Sequence, residues 1–251
     1  MDKNIMIIYD ETVSIIMPAF DAGQYIRKSI QSVLNQTYSH WKLYIIDDCS
    51  TDNTPDIVAE FTDSRIVYLR TSTNSGVAEA RNVGISKAQG TYIAFLDSDD
   101  LWAETKLEKQ LCMLKKGNDV VCSFYSTFSD TTEQTLSTRI FPKRILYEDM
   151  LVSNKVGNLT GIYNQTRLGK FFQQKVGHED YVMWLEIIKV AGQAISIPEV
   201  LAFYRLSSKS LSGNKFKASF WQWKIYRSHL QFGVLKSSYY WVRYLFNALN
   251  R

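Results

Sequence analysis

The sequence predicts an α/β fold: a mostly parallel central sheet flanked by helices, followed by a helical, aromatic and basic tail. Three observations carry that expectation. Short apolar runs alternate with helical stretches through the first 120 residues, the pattern of strands joined by right-handed crossovers. The runs lack polar alternation, so their strands are expected to be buried on both faces. Acidic residues collect where the runs end.

Residues 12–17 (TVSIIM) read as the first strand, and Pro18, which has no N–H to give a ladder, is expected to end it. After the loop AFDAG, Ile26, Ile30, Val33 and Leu34 recur at the spacing of one helix face. Residues 42–46 form a second strand ending in Asp47 and Asp48, and a helix starts near residues 52–54 with Pro55 in its first turn. Residues 65–69 are a third strand, 76–88 a helix closed by Gly90, and 91–96 a fourth strand. That strand runs straight into Asp97, Ser98, Asp99 and Asp100. A helix is expected immediately afterwards, with Asp100 as its N-cap. Capping accounts for one of the three carboxylates and leaves two unexplained.

Beyond residue 117 the pattern loosens. Residues 120–125 suit a strand, and 126–142 read as polar and irregular. In GHEDYVMWLEIIKVAG the residues Tyr181, Trp184, Leu185, Ile188 and Val190 give a helical stripe that stops at Gly192. Glu179 and Asp180 open this helix, where acids favour the macrodipole. AISIP and LAFYRLS read as two further strands.

Composition narrows the function. The chain has 251 residues, 45% hydrophobic and 22% charged, enough to bury a substantial core. The amino-terminal segment carries acids where a basic leader would stand, and no run of 18 apolar residues occurs, so the protein is expected in the cytoplasm. Three cysteines without a CxxC pair argue against a disulfide framework or zinc cluster and suggest buried free thiols. The net charge of +4 hides an asymmetry: residues 200–251 hold nine Lys or Arg and no acid. Such a tail suits an anionic surface.

In an open α/β sheet, ligands bind outside the carboxyl ends of the strands. Those ends share one edge, so Asp21, Asp48, Asp97 and Asp99 are expected to converge on one crevice. Clustered carboxylates there suit a divalent cation carrying a phosphate-bearing ligand. The loop after the first strand lacks both the GxGxxG glycines and a Walker lysine, which excludes dinucleotide redox chemistry and P-loop hydrolysis.

Four ordered segments resemble the family 2 glycosyltransferases of the GT-A fold, especially bacterial enzymes of surface polysaccharide synthesis. They are VSIIMPAFDAGQYIRKSIQSVLNQTY, IIDDCSTDNT, NSGVAEARNVGISKAQGTYIAFLDSDD and GHEDYVMWLEI. The resemblance implies an inverting transfer from a nucleotide-sugar, a UDP-sugar in the first instance, to a saccharide hydroxyl, with Mg²⁺ or Mn²⁺. It implies that Asp48 accepts from the uracil, that Pro18 and Phe20 line the base, and that Asp97 contacts the ribose or metal. Asp99 is then the main metal ligand, with Arg81 and Asn82 supporting the nucleotide side. Asp180 matches the general base, with Glu179 beside it. Arg205 and Lys209 are matched to a segment that meets the diphosphate. Two departures stand out: the family often has Asn where Asp21 stands, and a His common after the Tyr-Arg pair is missing.

The expected organisation is a nucleotide-sugar half (1–110), an acceptor half (111–215) and a membrane-association segment (216–251). In that segment the aromatic and basic residues would hold the protein on an anionic membrane, near a lipid-linked acceptor on its inner face. A sugar-phosphate nucleotidyltransferase would need a basic Gly-rich loop after the first strand, which PAFDAG lacks. A nucleic-acid-binding protein, reading bases through the basic aromatic tail, would leave the converging acids without a purpose. No nucleic-acid partner is expected.

Overall fold

The computed structural model describes residues 11–129, 132, 134–206 and 215–249. The first half runs β1 (Val13–Ala19), α1 (Ile26–Leu34), β2 (Trp41–Asp47), α2 (Thr54–Ala59), β3 (Ile66–Arg70), α3 (Val77–Lys87), β4 (Tyr92–Phe95), β5 (Leu101–Trp102) and α4 (Lys106–Leu114). The second half adds β6 (Val120–Phe128), β7 (Thr135–Arg139), β8 (Arg144–Leu146), α5 (Tyr147–Val152), β9 (Ile162–Asn164), α6 (Gln165–Leu168), α7 (Glu179–Ala191) and β10 (Gln193–Arg205). Helices α8 (Lys215–Lys224) and α9 (Val234–Leu249) follow.

One sheet orders these strands β3-β2-β1-β4-β9-β6-β10-β5, with β7 on β6 and β8 on β10. Strands β3, β2, β1 and β4 are parallel neighbours, as are β6 and β10. Because β9 opposes both β4 and β6, these last two point the same way. Strands β1–β4, β6 and β10 therefore deliver their carboxyl ends to a single edge.

Every residue of β1 and of β4 is buried because both faces of the sheet are covered. Val13, Ile15 and Met17 pack with Ile26 and Ile30 of α1 and Leu107 of α4 on one face. Ile16, Ile46 and Phe95 pack with Ile85 of α3 and Trp184 and Ile188 of α7 on the other. Full burial of each such side chain stabilises by about 1.5–3 kcal/mol, which fixes the register against slippage. Helix α3 comes close to the sheet at Gly84, where an added Cβ would sit 2.6 Å from Ile16 Cγ2.

Several expectations need correction. Pro18 does not end the first strand, which continues to Ala19. Ile16 faces β4 and accepts its last rung from Leu96 N, so Pro18, two residues on, faces the same side after β4 has ended and needs no donor. No helix follows Asp100 directly: Leu101–Trp102 pair antiparallel with Phe203 and Ala202, and α4 starts at Lys106. Asp100 is a buried acceptor rather than a cap. Within the stretch 126–142, residues 126–128 complete β6 and 135–139 form β7, which pairs with it. AISIP and residues 201–205 of LAFYRLS are one strand, with register shifts between Ile197 and Ala202 that absorb Pro198. Of the cysteines only Cys122 is buried; Cys49 is half-buried and Cys112 exposed.

The tail packs on the body. Between α8 and α9 a π-helical turn, Ile225–His229, buries Ile225 and Tyr226 completely, and Tyr226 Oη donates to Leu151 O at 2.5 Å. Gln222 Nε2 donates to Tyr181 Oη at 3.1 Å, one residue past Asp180. Trp221 covers Gly177, whose φ of 96° and a Cβ clash at 2.5 Å both demand glycine. Trp241 Nε1 of α9 donates to Ser219 O at 3.2 Å. Among the described residues no helix is long and apolar enough to cross a membrane.

Candidate active site

The site begins where β4 stops. Asp100 N bonds back to Asp97 O at 3.1 Å, closing a tight turn that bunches Asp97, Asp99 and Asp100. Asp97 accepts from Arg81 Nη2 at 2.6 Å. Burial, and then the charge of Asp97, push the Asp99 carboxyl up to about 6. Asp100 is pushed well up by burial and by Asp99 and Asp97; its Oδ1 accepts from Arg205 N at 2.8 Å, while its buried Oδ2 has no protein partner.

Arg205 is held by the protein at this edge. The residue is 5% exposed, and its guanidinium lies between the rings of Tyr25 and Phe128, at 4.4 and 4.3 Å from their centroids. Nε donates to Asp99 O at 2.9 Å and Nη1 to Ser129 O at 2.8 Å. The reason is position: as the last residue of β10 it arrives at the same edge as the end of β6 and the acidic turn, and it pins the three together. Lys209 lies outside the described residues.

On the other side Arg81 joins the two halves. It is buried in α3, and Nη1 donates to Gln173 Oε1 at 3.1 Å. Burial works against its charge, but Asp97, Asp180 and Glu179 together outweigh this and raise its pKa. Asn82 grips the same residue by its backbone, donating to Gln173 O at 2.9 Å and accepting from Gln173 N at 2.7 Å. Both side chains thus support the segment leading into α7, and neither is turned to solvent. At the head of α7 the Asp180 carboxyl is half-buried. Burial raises its pKa, Arg81 and His178 oppose this, and Asp97 adds to it. Glu179 accepts from Gly177 N at 3.3 Å. Asp97, Asp99 and Asp180 therefore belong to one electrostatic neighbourhood organised around Arg81.

Asp48 and Asp21 stand along the same edge but are bonded to loops. Asp48 is buried and accepts from Ser75 N at 3.0 Å, Gly76 N at 2.6 Å and Thr71 Oγ1 at 3.0 Å, which seats the start of α3. A base N–H reaching it must share or displace one of these. Asp21, at φ 45°, accepts from Thr51 N at 2.7 Å and so shapes the turn after β2. Pro18 is buried inside β1, whereas Phe20 is 48% exposed at the strand's end. Sequence reasoning missed Gln173, Tyr25 and Phe128; a lone Gln in a loop and two ordinary aromatics carry no motif.

The family model for Glycosyl transferase family 2 matches residues 14–176. The chain belongs to glycosyltransferase family 2. This family 2 chain is 39% identical over 238 residues to the Escherichia coli UDP-Glc:alpha-D-GlcNAc-diphosphoundecaprenol beta-1,3-glucosyltransferase WfgD, covering 94% of this chain and 93% of that one. It is 36% identical over 246 residues to the putative teichuronic acid biosynthesis glycosyltransferase TuaG of Bacillus subtilis, covering 95% and 96%. Among solved structures, S. aureus TarS in complex with UDP-GlcNAc superimposes with a TM-score of 0.72 at 17% identity, over 93% of this chain and 71% of that one. A Pyrobaculum calidifontis mannosyltransferase, solved with GDP-Man and Mn²⁺, gives 0.66 at 18%, over 92% and 69%. These likenesses establish the GT-A fold.

The residues present fit a hard divalent cation. Asp97 and Asp99 offer carboxylate oxygens, and burial together with the charge of Asp97 makes Asp99 resist ionising until more positive charge is present. Among the described residues no group of three or more His, Cys, Asp or Glu side chains is placed to hold a metal ion; where substrate phosphates complete the shell, one or two carboxylates are the usual protein contribution.

Proposed function

We propose that this family 2 enzyme transfers a sugar from a UDP-sugar, with inversion, to a hydroxyl of a lipid-linked saccharide in bacterial surface polysaccharide synthesis. The observation that supports the reading is that Arg81 is bonded to Asp97 in the acidic turn of β4 and also feels the charge of Asp180 at the head of α7. The names of the similar bacterial enzymes supply the polysaccharide, the UDP-sugar and the diphosphate-linked acceptor.

Residues 1–110 form the donor half. Phe20, exposed at the end of β1, offers a face to the base beside Pro18, with Asp48 and the Ser75–Gly76 amides next to it. Asp99 and Asp97 would hold Mg²⁺ or Mn²⁺. When bound, the cation supplies positive charge against the departing diphosphate. Residues 111–215 form the acceptor half, where Asp180 takes the proton of the acceptor hydroxyl as that oxygen attacks the sugar from the face opposite the leaving group. Its raised pKa favours this role, because a base works best near the operating pH. Arg81 and Asn82 hold Asp97 and Gln173 and so set the distance between the two halves.

Residues 216–251 rest on the inner face of the cytoplasmic membrane. Leu235, Tyr239, Val242 and Phe246 lie on one exposed face of α9, Leu235 at 88%, and Phe220 of α8 is exposed as well. Together with nine basic residues and no acid from residue 200 onward, this face suits an anionic bilayer interface.

The test is turnover and titration calorimetry against a panel of UDP- and TDP-sugars with Mn²⁺. Metal-dependent binding of one UDP-sugar, with transfer to a lipid-linked acceptor, is the expected result. Full activity in excess EDTA refutes the metal assignment.

A further inference from the structure

A cavity of about 340 Å³ opens in the acceptor half between the β6–β7 hairpin and the loop before Gly157. Its walls are of two kinds. Tyr125 and Phe141 present aromatic rings 6.1 Å apart, and Arg139, Lys155 and Asn154 present cationic and amide groups, with no carboxylate in the lining. Its lip is apolar: Ile140, which lines the cavity, is 71% exposed. Arg139 ends β7, an edge strand whose five residues all face solvent.

The cavity is tied to the reacting edge. Tyr125 meets Tyr204 edge-on with ring centroids 6.2 Å apart, and the next residue, Arg205, donates to Asp99 O. The donor carboxylates follow the ends of β1, β2 and β4, across β9 from this cavity. A ring pair with two cations and an apolar lip matches an amphiphile that carries, in order, a sugar, a phosphate and a hydrocarbon. Sugar faces pack on aromatic rings, guanidinium and ammonium groups bind phosphate oxygens, and an exposed aliphatic side chain tolerates a chain of lipid.

We infer that this cavity seats the acceptor's diphosphate, with Arg139 and Lys155 on its phosphates, the lipid chain leaving over Ile140 and the sugar leading past Tyr125 toward the reacting edge. The inference rests on the proposed function and adds the place and charge of the acceptor. The shared chemistry, a sugar diphosphate, also occurs in the nucleotide donor, so the experiment separates the two.

The full chain and its Arg139→Ala/Lys155→Ala variant are titrated with three probes: N-acetylglucosamine linked through a diphosphate to a short prenyl chain, the matching methyl glycoside, and UDP. An Arg139→Glu variant provides a second perturbation at an exposed position. The prenyl diphosphate sugar is expected to bind the variants at least about 10-fold more weakly, as for the loss of one or two hydrogen bonds to charge. UDP and the methyl glycoside are expected to bind all chains alike. Equal affinity of the chains for the prenyl diphosphate sugar, no binding of it by the unaltered chain, or a matching loss of UDP affinity overturns the inference. Turnover of the UDP-sugar panel by the unaltered chain is measured alongside. Variant-sensitive binding without any turnover defeats the proposed function and leaves the cavity assignment standing; turnover with variant-insensitive binding defeats the cavity alone.

Discussion

Arg205→Met separates a clamp from a phosphate contact. The substitution keeps most of the side-chain volume but removes the bonds to Asp99 O and Ser129 O and the charge between Tyr25 and Phe128. Each buried hydrogen bond from a charged group contributes about 1.5–3 kcal/mol, and a desolvated cation–π contact up to about 2 kcal/mol. These contributions overlap, so a net loss of about 4 kcal/mol is a fair expectation. With a urea slope of about 3 kcal/mol/M for a chain of this size, the midpoint should fall by about 1.3 M. Urea unfolding followed by tryptophan fluorescence measures this, and UDP titration of the folded variant measures the site. Weakened donor binding should accompany the loss of stability, because the turn carrying Asp99 is no longer pinned. An unchanged urea midpoint together with lost UDP affinity would refute the clamp and return Arg205 to the diphosphate.

Other outcomes follow from the same geometry. Asp99→Ala should abolish metal-dependent UDP binding, by calorimetry, while leaving the circular dichroism spectrum intact. Asp180→Asn should keep donor affinity and lower kcat by about 10²- to 10⁴-fold, the usual cost of losing a general base; normal turnover would shift that role to Glu179. Lys106 is fully buried over Trp102 and donates to Gln110 Oε1, and burial pushes its pKa down to about 7. Between there and its unfolded value the unfolded chain holds more protons, so stability should rise with pH from about 7 toward about 10. Lys106→Met should flatten that rise in urea midpoints taken across the range. Leu235→Glu/Phe246→Glu should reduce flotation with anionic liposomes and leave the far-ultraviolet spectrum unchanged.

The first half of the chain was legible because its strands are apolar runs buried on both faces and its helices carry stripes. The acidic turn after β4 was legible for the same reason, since Asp97 and Asp99 interrupt an otherwise continuous run. The second half was not. Strand β9 has three residues, too few to set a period, yet it inserts between β4 and β6. Strand β7 is exposed throughout and so carries no alternation. The contacts of Arg205 were hidden because its partners, Asp99 and Ser129, lie 106 and 76 positions away. Nothing local distinguishes a guanidinium that binds phosphate from one that binds backbone carbonyls.

The docking of the tail has a mechanical consequence. Gln222 and Trp221 bolt the C-terminal helices to the segment that carries Asp180, and Tyr226 ties them to Leu151 of α5. Cutting the chain before α8 would strip cover from Tyr181 and Leu151 and disturb the reaction centre together with any lipid contact, which makes point changes on the outer face of α9 the cleaner probe. A surface gripping that face would also set the altitude of the reacting hydroxyl above it. Acceptors would then be sorted by reach: sugars standing at one distance from their lipid would meet the carboxylate, and longer or shorter ones would pass above or below it.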